Sequence, residues 1–214
     1  LKMCKVTFYA NDDTFILTSS RDISNFRSHS LPPTISSLNN VNILSPKDPE
    51  GGGAWIGVSN HLAACLLNHN GNMIKTDMSR GMLLMKLLSQ EVKINNLEEA
   101  CRGYKPFKLV LYDIDSMILS EHLWNGSDYV YIDLIEKQKI WLSTTIYSKA
   151  KIDFYTNSFT SLKFNSMIEN KIHKFHLDEK NMLSVGDKKT TSITQISNLN
   201  GISMRYNDLI DKNE

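Results

Sequence analysis

Apolar and polar positions near the start of the chain fall into two β-rich runs, "CKVTFYA" and "TFILTSS", on either side of "NDD". β-branched and aromatic residues suit a pleated, half-buried surface, and Asn/Asp clusters suit turns. The pattern therefore predicts a hairpin over residues 4–10 and 14–19. Residues 24–40 are polar, hold Pro32 and Pro33 and show no period, which predicts a long loop. "VNILS" reads as a short strand and "PKDPEGGG" as a turn cluster. "AWIGVS" and "HLAACLLN" then form a second strand pair. The run Gly51 to Gly53 permits a tight turn or a close backbone approach.

From Ser79 the period lengthens. In "SRGMLLMKLLSQ" the residues Met82, Met85 and Leu88 follow a helical stripe, with Ser79 placed as N-cap. "NNLEEACRGYK" reads as a shorter helix ending near Gly103. Four strands follow, "FKLVLYDID", "MILSEHLW", "VYIDLIE" and "IWLSTT". Ile152, Tyr155, Phe159 and Leu162 are spaced for one face of a helix. "TTSITQIS" and "GISMRYNDLI", around Asn198 to Gly201, close the chain as a last hairpin. Runs of strands, rather than strict strand–helix alternation, predict an α+β fold of antiparallel sheets in a single domain over residues 1–214.

Composition narrows the function classes. Of 214 residues, 41% are hydrophobic and 22% charged, which is ample for a core and unlike a disordered chain. Lys and Arg number 24 against 23 Asp and Glu, so the net charge of +1 gives no electrostatic footprint for nucleic acid. No apolar run approaches the roughly 20 residues of a bilayer span, and Asn11 to Asp13 interrupt any early apolar segment. The cysteines, Cys4, Cys65 and Cys101, form no metal or disulfide pattern and suit a reducing, cytoplasmic setting. His173 and His176 stand three apart, but no carboxylate is known to join them, so neither metal nor cofactor is expected.

Several weak motifs stand in a fixed order. "MC" opens the first strand; "SSRD" ends the second, with Arg21 seventeen positions after Cys4; "EGGGAWIG" precedes a strand ending at Asn68. Then come "SRG" at Ser79 to Gly81, and "TTSITQI" and "MRYNDL" near the end. This set resembles the NRDE family, the transport and Golgi organization protein group. The resemblance implies an N-terminal nucleophile hydrolase-like fold, a four-layer αββα sandwich of two mainly antiparallel sheets.

It also implies a chemistry. Free cysteine has a pKa of about 8.5, and an α-amine one of about 7.7–8.0, so an N-terminal cysteine carries both nucleophile and base. Cys4 would be that nucleophile, Arg21 and Asp22 would tune it, and Asn68 would hold the developing oxyanion. The substrate expected is a small non-peptide amide or acyl compound. The family's Asn-Arg-Asp-Glu stands here as Ser20-Arg21-Asp22-Ile23. Thr144 falls where relatives place an Asn, a second oxyanion donor, and Lys189 where they place an Arg. Leu1, Lys2 and Met3 precede Cys4, and while they are attached the cysteine has no α-amine.

Plainer readings stand beside these. An early strand cysteine is most often core, Arg21-Asp22 a turn or solvated pair, and Asn68 a strand terminator. The substitutions also fit a carrier on the same fold that holds an apolar small molecule, haem or an acyl lipid, without catalysis.

Overall fold

The computed structural model describes residues 3–24, 26–143, 147–164 and 167–210. Its class is α+β, with two mainly antiparallel sheets and a few helices. The chain divides into two compact units, residues 1–29 with 136–214, and residues 30–135.

The first unit begins with the expected hairpin, β1 (Met3–Ala10) and β2 (Phe15–Ser24). Its turn is fixed locally: the Asn11 side-chain oxygen accepts from the amides of Asp13 and Thr14 at 3.0 and 2.8 Å. That Asx geometry is why Asn favours such turns. β10 (Gln138–Leu142) pairs with β1. β12 (Lys188–Ser197) pairs with β2, and β11 (Ser184–Val185) and β13 (Ser203–Asp208) pair along β12. α3 (Lys149–Thr160) forms where the spacing predicts it, capped by Ser148, whose hydroxyl accepts from the Lys151 amide. A further helix, α4 (Ile168–Leu177), follows it. It escapes the sequence pattern because its polar face alternates with histidines that turn out to be buried. Tyr155 and Phe159 of α3, Ile172 and Phe175 of α4 and Ile16, Ile140 and Leu142 of the sheet form one core.

The second unit is a seven-stranded meander: β3 (Leu31–Leu38), β4 (Val41–Lys47), β5 (Ile56–Val58), β6 (Leu62–Asn68), β7 (Phe107–Asp113), β8 (Ile118–Trp124) and β9 (Tyr129–Leu134). The predicted loop over residues 24–40 is corrected here, since most of its second half is the edge strand β3. An edge tolerates Pro32 and Pro33 because one side of its ladder needs no amide donors. Asn39 and Asn40 both have positive φ, 51° and 61°, which is the two-residue hairpin geometry that Asn accepts.

α1 (Arg80–Leu88) and the short α2 (Leu97–Ala100) pack Leu83, Leu84, Leu87, Leu88 and Leu97 on one face of this sheet. The predicted stripe needs one correction: Met85 and Leu88 are buried but Met82 is exposed. Ser79 occupies the N-cap of α1, although its hydroxyl makes no cap bond. The glycine run has a definite task. A Cβ on Gly53 would collide with the Gly81 backbone, so the chain passes the start of α1 only because both residues lack one.

Candidate functional site

The hairpin register sets the site. Cys4 pairs with Arg21 and Met3 with Asp22 across β1 and β2. The sixteen intervening residues fold back so that the two sequence-predicted neighbours stand directly opposite. Arg21 is fully buried. On the other side of β2 the ladder with β12 slips by one residue between Thr190 and Ser192. The extra residue, Thr191, donates its hydroxyl to the Arg21 carbonyl at 3.1 Å. Bulges of this kind re-aim side chains beside functional positions.

Successive strand residues face opposite ways, so Asp22 joins a different set of groups from Arg21. Its carboxylate takes the Thr190 hydroxyl at 2.6 Å on one oxygen and the Tyr147 hydroxyl at 2.9 Å on the other. Burial pushes Asp22 up to about 6, while Thr190, the Lys5 ammonium and Tyr147 pull it back. Lys5 lies in the same interior. Burial pushes it down to about 8, opposed by Asp22 and Asp178. Its ammonium donates to the Asn181 carbonyl and lies 5.1 Å from the Tyr155 ring centre and 5.5 Å from that of Phe175. The two residues therefore form a buried pair of opposite charge, held by hydroxyls and aromatic faces.

His176 completes this polar layer. Its Nε2 meets the Thr7 hydroxyl at 2.8 Å and its Nδ1 the Ser20 hydroxyl at 2.7 Å. Full burial holds it well below the usual histidine range, reinforced by Lys5 and His173, so it is neutral. A neutral imidazole donates once and accepts once, so one hydroxyl gives and the other receives. With both nitrogens engaged, His176 does not serve the metal pair that its spacing from His173 suggests. Lys5, Tyr147, Thr190 and His176 were missed as members of this site by sequence reasoning. One signal was available: Lys5 and Asp22 are charges inside otherwise apolar or hydroxyl-bearing strands.

Two residues beyond Arg21, a cavity of about 250 Å³ opens at the ends of β2 and β12. Ile23, Thr191 and three basic side chains, Arg27, His29 and Lys189, line it. Lys189 is thus on the ladder opposite Ile23, two residues along β2 from Arg21. Ser20 and Ile23, where the sequence departs from the family motif, are both buried, Ser20 against His176 and Ile23 in this lining. Thr144 lies outside the described residues. Asn68 belongs to the second unit, where it ends β6, buried and in register with Phe107. Arg80 donates to the Pro106 carbonyl at 2.7 Å, a positioning contact for α1.

A family model described as Transport and Golgi organisation 2 matches residues 3–210, nearly the whole chain. No curated protein matches the chain. The protein belongs to the Transport and Golgi organisation 2 family. Among the described residues, no helix is long and apolar enough to cross a membrane.

Proposed function

We propose that this protein is an N-terminal cysteine hydrolase-like member of its family, acting on a small non-peptide amide or acyl compound. The observation that carries this reading is the register placing Cys4 opposite the buried Arg21. A guanidinium beside a thiol lowers its pKa, since the anion is favoured by an adjacent cation. Asp22 is in register with Met3, the residue whose removal exposes the α-amine.

In the proposed reaction the Cys4 thiol proton passes to its own α-amine. The sulfur then adds to the acyl carbon. The C–N bond breaks as the ammonium returns the proton to the departing amine. Water finally hydrolyses the thioester and regenerates the thiol. The basic cavity lined by Arg27, His29 and Lys189 favours an acyl compound that also carries a negative charge.

The test begins with chain expressed from Met3. Intact mass reports whether Met3 is removed. Incubation with a panel of neutral and anionic acyl amides should then give an acyl adduct on Cys4 that disappears in Cys4→Ala. Retention of Met3, or absence of any adduct across the panel, would sink the reading.

A second reading, a non-catalytic carrier for an apolar small molecule such as haem or an acyl lipid, is favoured by Ser20 and Ile23. Both substituted motif positions are occupied with packing and internal hydrogen bonding. A Soret band in purified protein, or lipid in an organic extract, that persists in Cys4→Ala would favour the carrier.

A further inference from the structure

A larger cavity lies wholly within the second unit, and none of Cys4, Arg21, Asp22 and Asn68 lines it. Its volume is about 610 Å³, within the range of small-molecule sites. One wall is the sheet, with His122, Tyr129 and Tyr131 of β8 and β9. Facing it, the connection from α1 to α2 contributes Val92 and Ile94. Leu62 and Leu87 add apolar surface.

The sheet wall is rigid and aromatic. The His122 ring stacks on Tyr131 with centres 5.6 Å apart and planes 16° from parallel. Its Nε2 meets the Ser120 hydroxyl at 2.8 Å and its Nδ1 the Tyr129 hydroxyl at 2.6 Å. Burial pushes His122 down to about 4, against the raising influence of Asp133 and Glu121, so the ring is neutral at physiological pH. With both nitrogens engaged, it offers a ring face and no metal ligand. Tyr131 is 59% exposed, unusually open for an aromatic held in place by a stacked neighbour.

The charge on the lining is mainly negative. Glu98, Asp113 and Asp115 are its carboxylates, against the ammonium of Lys93. Asp115 is taken by His61 at 2.7 Å. One oxygen of Asp113 accepts the Ser116 amide at 2.9 Å. Among the described residues no ion pair neutralises Asp113 or Glu98.

We propose that this cavity binds a small, flat organic cation, an aromatic amine whose ring packs along Tyr131 and the apolar wall while its ammonium meets Asp113 and Glu98. Aromatic faces and carboxylates both attract the cation, whereas an anion of the same shape meets repulsion. The site is independent of Cys4.

The test uses the full chain and two indoles of opposite charge, tryptamine and indole-3-propionate. Binding is measured by calorimetry and by the ring resonances of His122. Tryptamine is expected to bind and to shift the His122 signals, with indole-3-propionate at least about tenfold weaker. Tyr131→Ala and Asp113→Asn should each weaken tryptamine several-fold, and Cys4→Ala should leave it unchanged. Tyr131 is exposed, and Asn can still accept the Ser116 amide, so both variants are expected to fold, which a thermal melt verifies. Equal affinity for the two indoles, unaltered tryptamine binding in both variants, or no tryptamine binding at millimolar concentration would each overturn the proposal. If the Cys4 adduct fails to form while tryptamine binds here, only the hydrolase reading falls.

Discussion

Cys4 and Arg21 stand opposite each other across the first hairpin, one residue from the Met3–Asp22 pair. Arg21, the residue in register with the cysteine, is fully buried. Arg21→Gln should raise the Cys4 thiol pKa by about one unit. Arg21→Lys should leave it nearer the parent value. The pH dependence of iodoacetamide alkylation at Cys4, read by peptide mass, measures both. Identical profiles in all three proteins would remove Arg21 from the chemistry.

Asp22 gives a stability prediction with a definite sign. Its pKa rises from 3.8 to about 6 on folding. The folded state therefore binds the proton more tightly, and this contribution is present at low pH and lost as pH climbs from about 4 to 6. A rise of this size corresponds to roughly 3 kcal/mol. Asp22→Asn cannot titrate, so the stability difference between the two proteins should change across that window and flatten above it. Urea denaturation at a series of pH values checks this. The comparison cancels His176, whose lowered pKa acts in the opposite sense on acidification.

Lys5 should show the complementary behaviour. Its pKa falls to about 8 on folding, so its contribution grows as pH rises from about 8 towards 10.5 and is lost below the folded value. Lys5→Met fills a similar space without a charge and should abolish that alkaline gain. Denaturation at alkaline pH, compared with the parent, is the measurement. A variant that keeps the parent's slope would place the alkaline titration elsewhere.

His176 bonds Thr7 and Ser20, which belong to neighbouring strands of the same sheet. His176→Leu would strand two buried hydroxyls at about 1–3 kcal/mol each. Adding Thr7→Val and Ser20→Ala should restore part of the loss, because no unsatisfied group then remains. Thermal unfolding of the single and triple variants tests the coupling, and an additive further loss would contradict it.

Gly53→Ala should destabilise by about 2 kcal/mol or more, because the added methyl meets the Gly81 backbone, which cannot turn aside. Gly186 makes the contrast: nothing lies within 4 Å of an added Cβ, and its φ of +60° is one that Asn adopts. Gly186→Asn should therefore cost less than about 1 kcal/mol. Melting temperatures of the two variants decide the point.

What the sequence determined by itself was local. The Asn11 to Asp13 turn, between two runs of β-forming residues, sets which strand residues face one another, so the hairpin itself was readable and with it the return of Arg21 and Asp22 towards Cys4, though not the register. The α+β class followed from element order in the same way. Tertiary structure alone decided the rest. Asp22 meets Tyr147 and Thr190, 125 and 168 residues away, and those contacts depend on β12 joining β2 and on where α3 begins, which no periodicity encodes. The edge strand β3 read as a loop because a strand with one free side need not carry the apolar alternation that marks a buried one. α4 was hidden because its buried face uses histidines. A histidine looks polar in sequence, and only the hydroxyls of Thr7 and Ser20 make its burial affordable.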